Sequence, residues 1–166
     1  LPAPPARIAE VGCGRGALAA ALSDLGHDPV GIDRDPTMVA ATRARGVRAI
    51  LADLTHVAGE QFDVVLLTRS LHHADDLDQT LRHARSLLAP GGVIVIEEFA
   101  WERVDRAAAE FLYAHRARLV GAGLLDAGLP AGEPLLDACI AGHATLHRGS
   151  AMLDALDRIG AGRWTA

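Results

Sequence analysis

A chain of 166 residues, half of them apolar, is enough for one core of ordinary size and crowded for two, so residues 1–166 read as a single domain. Its net charge of −5 offers no electrostatic footprint for a polyanion, which counts against nucleic acid or an anionic membrane surface as the main partner. The sixteen residues of the Lys and Arg class are all Arg, and the lack of Lys excludes a Walker P-loop, a Schiff-base enzyme and a Tyr-x-x-x-Lys dehydrogenase, each of which needs a lysine amine.

In chain order, an apolar run at 7–11 predicts a first strand, and GCGRG follows it. Leu18, Leu22 and Leu25 then recur at helical spacing, with Gly26 as a C-terminal stop. A second strand is expected at 29–32. A second helix is capped by Asp35, opened by Pro36 and closed by Gly46. Strands at 47–51 and 62–67 follow. The next helix carries Leu77, Leu81, Ala84 and Leu88 on one face and ends at Ala89, before Pro90 and a Gly91-Gly92 turn into a fifth strand at 92–98. VVLL and VIVI are apolar at consecutive positions, the form of strands covered on both faces. Beyond 100 the chain reads as helical, with a stripe of Val104, Ala108, Phe111, Leu112, His115 and Leu119 packing on the sheet, then stretches around 134–147 and 150–159. The alternation predicts an α/β fold: a doubly wound, Rossmann-like, mostly parallel sheet with helices on both faces.

In such a sheet the ligand lies outside the carboxyl ends of the strands, where strand order reverses. The residues expected to converge there are Glu10 with Gly12, Gly14 and Gly16, then Asp33, Asp53 and the run Thr68 to His73. Gly12, Gly14 and Ala17 also satisfy the dinucleotide fingerprint, and Asp33 stands where a ribose-binding acid is expected, so an NAD-binding oxidoreductase is one alternative. Glu10 speaks against it. An acid two residues before the first glycine repels a pyrophosphate and attracts an ammonium.

EVGCGRG, GIDRDPTM, LADL, FDVVLLTRSLHH and LLAPGGVIVIEEF occur in this order between about residues 7 and 99. In them the chain resembles the class I S-adenosylmethionine-dependent methyltransferases. The resemblance implies S-adenosylmethionine as cofactor, S-adenosylhomocysteine as product, and methyl transfer to a small-molecule acceptor. It implies that Glu10 orients the methionine ammonium and that Gly12, Cys13, Gly14 and Gly16 pass close to the methionine portion and ribose. Asp33 would take the ribose hydroxyls, Arg34 would flank the adenine, and Asp53 and Leu54 would contact its amino group and ring. Thr68 and Arg69 would lie beside the sulfonium. Cys13 also reads as a small filler between glycines.

A hydroxyl or protonated amine acceptor needs a base, and His72 and His73 stand where the fourth strand releases the chain over the site. The structural reading of one of them is a residue bonded beneath the loop. The HHADD run is not read as a metal site, because adjacent side chains seldom converge on one ion; His143 and His147 read as a solvated surface pair. The resemblance also implies that acceptors other than base or glutamine amino groups are favoured, because the Pro-Pro-Tyr that follows the fourth strand in amino methyltransferases acting on those groups is replaced here by TRSL. Trp101, Phe111 and Tyr113 are candidate walls of the acceptor pocket, although core packing explains them equally. A scaffold that keeps the fold without turnover is the second alternative.

The family's usual sixth and seventh strands have no sequence to form them, the chain ending at GRWTA, and an N-terminal helical segment is missing. Together with a first residue that is Leu, this leads us to expect truncation at both ends and a sheet edge covered by helices, by a partner such as a second copy, or by residues outside the numbering. Cys13 and Cys139 are too few for a disulfide scaffold, no apolar run approaches the ~20 residues of a membrane span, and LPAPPAR lacks the parts of a signal peptide; a cytoplasmic setting is expected.

Overall fold

Strands whose consecutive side chains are all apolar must be covered on both sides, and that requirement organises the molecule. The computed structural model describes residues 1–125 and 134–160. Five strands form one sheet: β1 (Arg7–Val11), β2 (Asp28–Asp33), β3 (Arg48–Leu51), β4 (Phe62–Thr68) and β5 (Leu88–Glu97). Their order is β3-β2-β1-β4-β5, and every neighbouring pair is parallel. The helices are α1 (Ala17–Asp24), α2 (Pro36–Ala44), α3 (Leu77–Ser86), α4 (Arg106–Gly121), α5 (Leu135–His143) and α6 (Gly149–Ile159).

Alternate residues of the strands feed two cores. Ala9, Val30, Ile32, Val65 and Leu67 pack with Leu77, Leu81 and Ala84 of α3 and Met152, Ala155 and Leu156 of α6. Ile8, Val64 and Leu66 pack with Leu22 of α1 on the other face. Gly31 also belongs there: a Cβ on it would meet Cys13 Sγ at 2.7 Å and Thr42 Cγ2 at 3.1 Å, so α2 lies close over β2. Strand order reverses between β1 and β4, and their carboxyl ends open a crevice.

The second helix begins as expected: the Asp35 carboxylate accepts from Thr37 N–H at 2.7 Å, and Pro36 follows it. Three expectations are corrected. In α1 the covered residues are Ala19 and Leu22, while Leu18 borders the crevice and Leu25 is 66% exposed. A helix of eight residues shows the sheet only a narrow stripe, and spacing alone does not say which stripe is covered. Helix α3 stops at Ser86, three residues before Ala89, because Leu88 already pairs with Phe62 of β4. The ladder resumes at Val64 with Val93, so Ala89–Gly92 bulge out. Beyond the sheet, Asp105 caps α4 by accepting from Ala108 N–H at 2.8 Å. This helix packs against α5 rather than the sheet, with Ala109 buried, whereas Phe111 is 67% exposed and Leu119 also faces outward. Residues 162–166, the GRWTA segment at which the sequence reading places the start of a sixth strand, lie outside the described residues.

Gly16 starts α1 in the left-handed region at φ 72°, and a Cβ there would fall 2.7–2.9 Å from Thr42, its Cα included. Left-handed strain and backbone overpacking add. Gly16→Ala is expected to cost about 2–4 kcal/mol, read as a lower urea midpoint at unchanged slope.

Candidate functional site

The chain leaves β1 through a loop held by its neighbours. Gly12 N–H donates to the Ile32 carbonyl at 2.8 Å, and a Cβ on Gly12 would strike Ser70 Cβ at 2.7 Å, so the β1 and β4 exits touch there. Gly14 N–H donates to Asp33 Oδ2 at 2.9 Å, and Asp35 N–H donates to Asp33 Oδ1 at 2.9 Å. Each carboxylate oxygen keeps a lone pair for a ligand hydroxyl. Thr42 Oγ donates to the Gly14 carbonyl at 3.0 Å and lies 3.5 Å from Cys13 Sγ. Burial pushes the Cys13 thiol up from its ordinary value, which suits a packing atom between α1 and α2 rather than a thiolate.

Glu10, near the end of β1, is only 4% exposed, with Oε2 shielded from water and without a hydrogen-bond partner among the described residues. Burial and the neighbouring charge of Asp33 raise its carboxyl from 4.5 to about 7, against a backbone hydrogen bond from Ala19 that lowers it. A buried acceptor of this kind is costly unless something donates to it. An ammonium group is the donor it fits best.

On one side of the glycine loop, Asp33, Arg34, Asp53, Leu54, Arg69 and His73 line a pocket of about 370 Å³. Burial tends to raise the Asp53 carboxyl, but the Thr55 hydroxyl at 2.6 Å, the Thr55 amide at 2.9 Å and the Arg34 guanidinium at 3.8 Å outweigh it and hold the carboxyl low. On the other side, a broader cleft of about 1050 Å³ is bordered by Glu10, Thr68, Arg69, His72, His73 and Glu98 among others. Gly12, Arg69 and His73 border both spaces, so the two join at the strand switch point. Arg69 sits there at φ 52°, its amide donating to the Glu97 carbonyl at 2.8 Å. Gly16 borders neither space and contacts α2 instead.

Glu98, just past β5, organises the histidines. Its Oε1 accepts from Leu71 N–H at 2.5 Å and His72 N–H at 3.3 Å, and its Oε2 lies 2.5 Å from His72 Nδ1. Both side chains are nearly buried, and this bond sets His72 as the Nδ1–H tautomer with Nε2 left to accept. His73 lies against it at a ring separation of 4.2 Å; burial, then the neighbouring His72, lower its pKa. The HHADD run does not converge on a point. Asp75 faces Arg34 at 3.5 Å, and Asp76 caps α3 through Gln79 N–H.

Residues 9–96, more than half of the chain, match the family model described as a methyltransferase domain. The chain belongs to the class I S-adenosylmethionine-dependent methyltransferases. It is similar to a ubiquinone biosynthesis O-methyltransferase of Azorhizobium caulinodans, at 35% identity over 54% of this chain and 39% of that protein. Another of that name from Xanthomonas campestris pv. campestris is 31% identical over 78% of this chain and 54% of the relative. The methyltransferase chain thus spans well under two thirds of the length of these relatives. Among solved structures, a sugar N-methyltransferase from Streptoalloteichus sp. superposes with a TM-score of 0.52 at 30% identity, over 56% of this chain and 40% of that one. An amino pentose methyltransferase from Micromonospora echinaspora, solved with S-adenosylmethionine bound, superposes at 0.53 and 29%, over 58% and 44%.

Several residues that line the site carry no clear signature in the sequence. The signal for Glu98 is the pair of consecutive acids where the fifth strand ends, beside the LHH exit of the fourth. Of the expected acceptor walls, Trp101 lines the cleft and Phe111 and Tyr113 do not; Phe99 and Arg116 do. His147 is not a solvated partner of His143. Its ring bonds the Ala74 carbonyl at 2.8 Å and its amide the His72 carbonyl at 3.1 Å, which ties the helical segment to the histidine loop.

Proposed function

We propose that this chain binds S-adenosylmethionine and transfers its methyl group to a small-molecule acceptor, through a proton acceptor formed by His72 and Glu98. The observation that carries the reading is Glu10, buried with an unpartnered oxygen beside the glycine loop, which suits a cationic nucleoside and not a pyrophosphate. Glu10 receives the ammonium, Asp33 the ribose hydroxyls, Asp53 the adenine amino group, and Leu54 the ring, with Arg34 flanking it. Thr68 and Arg69 lie at the junction where the reacting groups meet. Bound in this way, S-adenosylmethionine supplies an activated methyl group on a sulfonium. The protein contributes alignment for an in-line displacement and a base at His72 Nε2, which takes the acceptor's proton while Glu98 faces the charge that the ring gains.

The net charge of −5 favours a small acceptor over nucleic acid. No helix among the described residues is long and apolar enough to cross a membrane. Free, buried Cys13 and Cys139 suit a reducing compartment, and we assign the reaction to the cytoplasm. A homodimer is one way to cover β5, where Val93 is exposed.

Titration calorimetry tests the reading. S-adenosylmethionine and S-adenosylhomocysteine are expected to saturate one site and NADH none. Because free Glu10 titrates near 7 and the ammonium needs it ionised, affinity rises with pH, by roughly tenfold from pH 6 to pH 8. Methylthioadenosine, which has no ammonium, is expected to bind with a flat profile, and Glu10→Gln to flatten that of S-adenosylhomocysteine. Tight NADH binding would overturn the assignment.

A further inference from the structure

The cleft beyond the junction has a wall whose chemistry the methyl donor does not use. Trp101, nearly buried, stacks on His143 at a ring separation of 6.4 Å and an angle of 21°, and Phe99 meets His143 edge-on at 5.6 Å. The wall is held firmly. Trp101 Nε1–H donates to the His147 carbonyl at 3.1 Å, Glu102 accepts from Gly149 and Ser150 N–H at 3.0 and 2.9 Å, and His143 Nδ1 lies 2.6 Å from the Cys139 carbonyl.

From α4, Arg116 borders the same cleft. Its Nε is shielded from water and has no hydrogen-bond partner, and no carboxylate lies within 4.0 Å of its guanidinium among the described residues. The Tyr113 ring centroid lies 6.0 Å from the Arg116 Cζ. Arg15 and Arg69 border the cleft without an ion pair among the described residues as well. Its acids do not balance them: Glu98 is taken up by His72 and backbone amides, Glu10 faces the glycine loop, and Glu97 alone stands against the three guanidinium groups. In a chain of net charge −5, unpaired guanidinium groups gathered on one cleft point to an anionic ligand. A shielded N–H on an arginine is satisfied best by a fork-shaped, two-oxygen acceptor.

We propose that the methyl acceptor is a flat aromatic hydroxy acid, its ring against Trp101, Phe99 and His143 and its carboxylate on Arg116. The inference rests on the methyltransferase reading. It adds the acceptor class, and it makes Arg116 a specificity residue for the acceptor with no part in cofactor binding.

The test is calorimetry on the chain saturated with S-adenosylhomocysteine, using benzoate, salicylate and protocatechuate beside their amides. The wild-type chain is expected to bind at least one acid at least tenfold more tightly than its amide. Arg116→Gln is expected to weaken the acids by about tenfold to a hundredfold, leaving the amides and S-adenosylhomocysteine unchanged; Arg116→Lys falls between. With a turned-over acid the loss appears in KM and not in kcat. Absence of any preference for acids in the wild-type chain overturns the proposal. So does an equal loss for acids and amides, or an unchanged acid affinity in Arg116→Gln. Failure of the wild-type chain to bind S-adenosylhomocysteine at all would instead sink the underlying methyltransferase reading.

Discussion

Asp33→Ala is expected to lower the affinity for S-adenosylhomocysteine about a hundredfold, measured by calorimetry at pH 8. Two effects combine. On the proposed reading the carboxylate at the end of β2 accepts from two ribose hydroxyls, and charge-assisted bonds of this kind contribute about 1.5–3 kcal/mol each. The same carboxylate holds Gly14 N–H and Asp35 N–H at 2.9 Å, so its removal also frees the glycine loop that must approach the ligand. Asp33→Asn separates the two. It keeps a neutral acceptor and is expected to lose less than half of the binding free energy that alanine loses. An Asp33→Ala chain that binds as tightly as wild type would remove Asp33 from the site.

His72→Ala is expected to lower turnover of a hydroxyl acceptor by about 10²–10⁴, the usual range for a positioned base, with S-adenosylhomocysteine affinity unchanged. The His72–Glu98 pair is nearly buried and 2.5 Å apart, which commits Nδ1 and leaves Nε2 for the acceptor. Glu98→Gln keeps the ring and loses the carboxylate, and is expected to lower kcat by about 10–100. An acceptor already ionised at assay pH needs no base, so a nitrocatechol is expected to restore most of the rate in His72→Ala. His73→Ala is expected to have the smaller effect, because no side-chain hydrogen bond among the described residues fixes that ring, which only packs against His72. Equal losses on ionised and un-ionised acceptors would make His72 a structural residue of the loop.

What the sequence by itself determined is what short-range chemistry decides. Asp35 and Pro36 open α2 because a cap and a fixed φ act within three residues, and the glycines after β1 announce a close backbone approach wherever they occur. Consecutive apolar residues in VVLL required cover on both faces, and with it a parallel sheet whose strand ends carry Glu10, Asp33 and Asp53 to one edge. Periodicity, by contrast, tells which positions share a face and not which face is covered. Leu25, Phe111 and Leu119 therefore lie outside, although they match a helical stripe. The end of α3 was set from across the sheet, by the pairing of Leu88 with Phe62. Glu98 and His72 stand 26 residues apart and meet only because β5 lies beside β4, while Arg116 joins the cleft through the docking of α4 on α5. Contacts of that range depend on strand order and helix placement. Those are settled when apolar surfaces from distant parts of the chain are buried together, and no local pattern encodes them.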